Sequence, residues 1–180
     1  MNYIIGDIGN TSTRVCLFNK SKILNSIIFD TKKIFLKGFF KKIINKFSKK
    51  NLKNEILFSC VVPLALKEIK KNLKKTNFRV LEIKNLNLKK MIKINIKNFN
   101  QLGSDRIVNS IKGKEFKNCL IIDFGTATTF DIVKNETYEG GVIAPGIKSS
   151  IRNLSQSTAL LPMFDLKISK RVMEKIPKKL

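Results

Sequence analysis

Two short stretches set a carboxylate, a glycine and hydroxyl side chains at the end of an apolar run. The first is Tyr3-Ile-Ile-Gly-Asp7-Ile-Gly9-Asn10-Thr11-Ser-Thr13. The second is Cys119-Leu-Ile-Ile-Asp123-Phe-Gly125-Thr126-Ala-Thr128-Thr129-Phe-Asp131. An apolar run that ends this way reads as a buried strand entering a tight turn. The glycine lets the backbone reverse and lets a ligand come close. The hydroxyls and backbone N–H groups suit phosphate oxygens, and the carboxylate suits the cation that neutralises them. Asp7 and Asp123, Gly9 and Gly125, and Thr13 and Thr129 share a single offset of 116 residues. The two stretches therefore read as copies of one unit. Two related halves facing each other would present both turns to one cleft, with a nucleotide between them.

Gly103-Ser104-Asp105-Arg106 is a third constellation. A carboxylate beside a guanidinium offers one group to accept a hydroxyl proton and one to hold an anion, which suits phosphoryl transfer. The same residues also fit a helix start, with Ser104 or Asp105 as cap. A fourth stretch, Glu139-Gly140-Gly141-Val-Ile-Ala-Pro145-Gly146, reads as a bent strand with a tight turn or as a wall where ligand meets backbone.

Other chemistries are excluded. The chain has no His, which rules out Ser-His-Asp, Cys-His and HExxH sites. No GxxxxGK[ST] or GxGxxG loop is present. The three cysteines, Cys16, Cys60 and Cys119, are odd in number and far apart, which fits reduced thiols in a cytoplasmic protein. No apolar run approaches the length of a membrane span, and residues 1–9 lack the basic start of a signal peptide. The formal charge of +23 invites a nucleic-acid reading. Only five of the 36 basic residues are Arg, however, and the lysines are spread among Ile and Asn, so no specific nucleic-acid or membrane partner is expected.

The elements that must position these residues follow from periodicity. Residues 3–9, 14–19 and 23–29 read as an antiparallel three-strand meander. An amphipathic helix is expected over 33–50, a strand over 55–62, a helix over 64–75 and a strand over 78–83. A short strand at 91–96 and a helix from Gly103 to Gly113 complete the first half. Residues 113–118 form a polar hinge. Strands at 119–124, 129–134 and 138–144 then repeat the opening meander, followed by a helix over 147–158. The expected boundaries are 1–112 for the first domain and 113–180 for the second, which has too few residues to complete the repeat.

Taken together these motifs resemble type III pantothenate kinase, of the acetate kinase/Hsp70/actin-like superfamily. They are Asp7-Ile-Gly-Asn-Thr11, Gly103–Arg106, Asp123–Asp131, Gly140–Gly146 and Thr158-Ala-Leu-Leu-Pro162, in the family's order. The resemblance implies an α/β fold of duplicated RNase H-like domains with mixed sheets. It implies ATP-dependent phosphorylation of the pantothenate hydroxyl, the first step toward coenzyme A. By motif, Asp105 would be the catalytic base. Gly103, Ser104 and Arg106 would meet substrate, with Phe99 supplying the ring where the family has a Tyr. Asp7, Gly9, Asn10, Thr11, Gly125, Thr126, Thr128 and Thr129 would bind ATP. Asp7 would act with Mg²⁺, and Asp123 would hold K⁺ or NH₄⁺. The family pattern also implies a cytoplasmic homodimer. The family runs some 70 residues further, so the second domain is expected to lack its later elements. A different class, a non-catalytic regulatory relative resembling transcription accessory factors, would keep the fold without needing all three of Asp7, Asp105 and Asp123.

Overall fold

A computed structural model describes residues 1–47 and 51–161. The Lys-rich stretch 167–180 and Pro162 of the Thr158–Pro162 motif lie outside the described residues, as does the 48–50 end of the first expected helix.

The first sheet opens with β1 (Asn2–Ile8), β2 (Ser12–Asn19) and β3 (Lys22–Asp30), paired antiparallel. On the other side of β1, β4 (Leu52–Cys60) and then β5 (Arg79–Glu82) add in parallel, giving the order β3-β2-β1-β4-β5. Alternation explains the burial. Ile4 and Ile8 on β1, Val15 and Leu17 on β2, and Ile56 and Phe58 on β4 all face one core. The helices α1 (Phe39–Asn45) and α2 (Pro63–Leu73) supply Phe40, Ile44, Ile69 and Leu73 to that core. Each such side chain contributes about 1.5–3 kcal/mol by leaving water. Pro63 starts α2 at the position where a missing N–H costs nothing. The Phe58 ring lies over Gly6, where a Cβ would meet it at 2.1 Å.

The single helix expected over 33–50 is instead two pieces. Thr31–Phe35 forms a 3-10 turn, started by Asp30 accepting from the Lys32 N–H at 2.8 Å. Leu36 is extended, Gly38 sits at φ 71°, and α1 begins at Phe39. Glycine is the poorest helix former after proline and enters the left-handed region freely, so the chain breaks there. The apolar spacing survives the break, because Ile34, Phe40, Ile43, Ile44 and Phe47 are all buried.

The second sheet repeats the meander with β7 (Cys119–Phe124), β8 (Ala127–Lys134) and β9 (Thr137–Pro145). Asn135 and Glu136 both take positive φ, the geometry that a two-residue hairpin turn requires. A two-residue strand β6 (Lys93–Ile94) pairs in parallel with β9, so the order is β6-β9-β8-β7. Residues before the expected 112/113 boundary thus hydrogen-bond into the second sheet. A smaller core of Ile83, Leu88, Ile92, Leu102, Ile107 and Tyr138 joins the two. The helix α3 (Ser104–Gly113) packs on β4 of the first sheet and on β7 and β8 of the second. Helix α4 (Ile147–Ser157) follows β9. The fold is a mixed α/β architecture in which both sheets open with an antiparallel three-strand meander.

The two copies differ by one residue at the turn. The Gly9 N–H bonds the Ser12 carbonyl, whereas the Gly125 N–H bonds the Ala127 carbonyl, each at 3.0 Å. Thr13 therefore lies opposite Ile8, and its counterpart opposite Phe124 is Thr128, not Thr129. The shared offset holds for the Asp and Gly pairs and fails for the Thr pair, because the second turn is shorter.

Candidate functional site

Both turns meet at one place. The Thr11 and Thr126 hydroxyl oxygens are 3.0 Å apart, a direct hydrogen bond between the two copies. The first turn is braced from behind. Thr31 donates its hydroxyl to the Gly9 carbonyl at 2.7 Å and accepts from the buried Thr13 hydroxyl at 3.0 Å. Nothing in the sequence reading pointed to Thr31, because its partner is 22 residues away.

Between the turns lies a cleft of about 270 Å³. Asp7, Gly9, Asn10 and Thr11 line one side, Asp123, Gly125, Thr126 and Thr129 the other, and Asp105 reaches in from α3. The same three carboxylates border an adjoining pocket of about 490 Å³, whose walls include Leu57, Ile83, Met91 and Val108. Asp7, Asp105 and Asp123 therefore stand where a hydroxyl-lined cleft meets a largely apolar pocket.

The electrostatics mark the junction. Burial pushes the Asp7 carboxyl above its ordinary range; the Ser59 hydroxyl works against this, while the nearby Asp105 and Asp123 charges add to it and Arg14 opposes it. The Ser59 hydroxyl faces Asp7 from the neighbouring strand without reaching hydrogen-bond geometry, and it is buried. The Thr129 hydroxyl, cross-strand from Asp123, is also buried without a partner. Orphaned buried hydroxyls next to crowded carboxylates fit a ligand that brings both charge and oxygen acceptors. Among the described residues no three acidic, Cys or His side chains are close enough to share one ion. A hard cation here would take one carboxylate, hydroxyls and phosphate oxygens, which is the ordinary habit of Mg²⁺ with a nucleotide.

Helix α3 supplies the remaining polar groups. Its cap is Gly103, not Ser104 or Asp105, and no side chain caps it. Asp105 instead accepts from the next residue, with its Oδ1 at 2.8 Å from the Arg106 N–H. That carboxylate lies where a Cβ on Gly103 would be, 2.3 Å away, which explains a glycine at this position. One turn on, Asn109 donates to Asp123 Oδ2 at 3.1 Å. The sequence reading missed Asn109, although its i+4 spacing from Asp105 puts both on one face.

Four of the expected site residues sit elsewhere. The buried Ser104 hydroxyl donates to the Glu82 carboxylate rather than into the cleft. Arg106 turns to Asp131: its Nε and Nη2 both lie 2.7 Å from Oδ1, although Nη2 is poorly angled for a hydrogen bond. Tyr138 donates to the same oxygen at 2.7 Å. Burial is the main force lowering the guanidinium's affinity for its proton, but the Asp131 carboxylate outweighs it and the Arg106 pKa rises. Burial and Asp131 together hold the Tyr138 phenol well above its usual range, so it remains a donor. Thr128 lies opposite Phe124 and borders neither the cleft nor the adjoining pocket. Phe99 borders a separate groove of about 740 Å³ with Leu86, Ile94 and Ile96.

Sequence comparison gives a consistent result. The family model for type III pantothenate kinase matches residues 3–179. The chain is 43% identical over 173 residues to the type III pantothenate kinase of Pelagibacter ubique, covering 94% of this chain and 69% of that protein. It is 34% identical to the type III pantothenate kinase of Sulfurihydrogenibium, covering 94% and 70%. Among solved structures, a Baf family transcriptional activator from Campylobacter jejuni aligns with TM-score 0.53 at 24% identity, over 98% of this chain and 68% of that one. The ethanolamine utilization protein EutJ from Carboxydothermus hydrogenoformans aligns with TM-score 0.53 at 9% identity, over 91% and 58%, a likeness of fold.

Proposed function

The chain belongs to the type III pantothenate kinase family, and from that premise we propose how its cleft transfers a phosphoryl group from ATP to pantothenate. The reaction is the opening step of coenzyme A biosynthesis. The observation that carries the residue assignment is the convergence of Asp7, Asp105 and Asp123 where the hydroxyl-lined cleft meets the apolar-walled pocket.

Asp105 is the general base. It projects from the first turn of α3, and one of its oxygens is already held by the Arg106 N–H. The other is left for the pantothenate hydroxyl. That hydroxyl oxygen forms a bond to the γ-phosphorus of ATP, the bond from the γ-phosphorus to the bridging oxygen breaks, and ADP leaves. The proton passes to Asp105. Such a base contributes about 10²–10⁴-fold. The two turns hold the ATP phosphates through Gly9, Asn10, Thr11, Gly125, Thr126 and Thr129, with the Thr11–Thr126 bond fixing their separation. Asp7 sits at the phosphate end and would hold the nucleotide's Mg²⁺, which supplies charge neutralisation when bound. Asp123, fixed by Asn109 and facing the orphaned Thr129 hydroxyl, would hold a monovalent cation. Ser104 and Arg106 serve the site from behind. Two copies of the chain form the working unit.

The test is ADP formation from ATP by the purified chain at high K⁺, with and without pantothenate. ADP formation that depends on pantothenate supports the reading, and turnover indifferent to pantothenate contradicts it.

A further inference from the structure

Asp105 lies between two residues that are each tied to a different sheet. On its N-terminal side, Ser104 is fully buried and bonds Glu82, the last residue of β5 in the first sheet. On its C-terminal side, Arg106 is pinned at 2.7 Å on Asp131 of β8 in the second sheet. Asp131 is fully buried, and Tyr138 of β9 donates to the same carboxylate oxygen. Gly141 opposite Asp131 keeps the guanidinium's path open. A Cβ there would stand 2.8 Å from Arg106 Nη2 and 1.9 Å from the Phe130 carbonyl. None of Glu82, Arg106, Asp131 or Tyr138 borders the cleft of the three carboxylates.

We infer that Glu82 and Asp131 are positioning residues for the phosphoryl transfer, acting through Ser104 and Arg106 to fix the first turn of α3, and with it Asp105, relative to both sheets. The inference rests on Asp105 being the base. The geometry gives the reason. Asp105 Oδ1 accepts from the backbone N–H of Arg106, the residue whose side chain Asp131 holds. Movement of that N–H carries the carboxylate with it. The three carboxylates come from three elements, β1, α3 and β7, so their spacing depends on how α3 sits between the sheets. A displacement of about 1 Å at a reacting group can cost on the order of 10²-fold in rate.

Ser104→Ala, Glu82→Ala, Glu82→Gln, Tyr138→Phe and Asp131→Asn test this in the full chain, below each variant's unfolding midpoint. Two readouts are taken: steady-state kinetics, and amide hydrogen exchange of residues 103–107, which needs no turnover. Ser104→Ala, Glu82→Ala and Asp131→Asn are expected to lower kcat about 10-fold or more with KM for ATP held within about 2-fold. Tyr138→Phe, which removes one hydrogen bond, is expected to have a smaller effect in the same direction. Glu82→Gln keeps an acceptor for the Ser104 hydroxyl and should recover most of what Glu82→Ala loses. Exchange at the Arg106 and Ile107 amides should quicken while β1 amides stay protected. Unchanged exchange at 103–107, or unchanged kcat in both Ser104→Ala and Asp131→Asn, overturns the inference. Asp105→Asn is the control that separates the two readings: full activity in that variant removes the base assignment, whatever the exchange shows.

Discussion

At the scale of single residues, the site holds one carboxylate, Asp7, whose charge is costly to the fold. Burial, Asp105 and Asp123 all raise its pKa. A carboxyl whose folded pKa lies above its unfolded one favours the native state at low pH, and that contribution is lost as pH rises through the folded value. Above its folded value the ionised Asp7 is therefore a liability to stability. Asp7→Asn should raise the thermal midpoint at pH 7–8 while lowering kcat, and the gain should shrink toward pH 4. Calorimetry across that range reads it, and a lowered midpoint at pH 8 would contradict the account. Cys60 carries a second residue-scale expectation. Burial pushes its thiol up, and it bonds the Val62 carbonyl at 3.2 Å, so alkylation in the native state should be slow below pH 9. Rapid native labelling of Cys60, read by peptide mass spectrometry, would show that the first core opens at the end of β4.

At the scale of elements, the sequence made most of the fold legible and hid the joints. Apolar runs bounded by turn residues over 3–29 and 119–144 carry the two meanders. The break at Gly38 was hidden, because the apolar spacing continues on both sides of it and only the left-handed φ reveals the interruption. Gly38→Ala should destabilise by about 1–2 kcal/mol, whereas Leu73→Ala in the core of α2 should cost about 2–5 kcal/mol. Urea unfolding compares them, and a gain in stability from Gly38→Ala, as an unbroken helix would give, would argue against the two-piece description. The candidate site was legible where it is local. The Asp-x-Gly turns and Asp105 were found from neighbours in sequence, and they do converge. Ser104 was assigned to ligand by the family resemblance, and Arg106 and Thr128 by the resemblance and by their neighbours in sequence; neither reports their surroundings in the fold. Glu82 and Asp131 come from other strands, and which face Thr128 takes depends on a one-residue difference between the turns. No spacing rule reports such contacts.

At the scale of the whole molecule, two sheets with separate ladders are joined, among the described residues, by α3, by the smaller core around Tyr138 and by the touching Thr11 and Thr126 turns. A ligand that contacts both turns should stabilise the whole chain by RT ln(1 + [L]/Kd), about 2.7 kcal/mol at a hundredfold excess over Kd. Mg-ATP should raise the midpoint, and Thr126→Ala should reduce that rise. No shift with Mg-ATP at millimolar concentration would argue against a nucleotide between the turns. The chain also carries a formal charge of +23, so self-repulsion opposes compaction, and added salt should raise stability at fixed pH. Among the described residues no helix is long and apolar enough to cross a membrane.

The central claim is that Asp105 takes the proton from the hydroxyl that is phosphorylated. The most direct measurement is single-turnover transfer of the labelled γ-phosphoryl group to pantothenate, comparing the native chain with Asp105→Asn at matched ATP occupancy. The account predicts that the variant binds ATP as well and forms phosphorylated pantothenate about 10²–10⁴-fold more slowly. Transfer at the native rate by Asp105→Asn would contradict it.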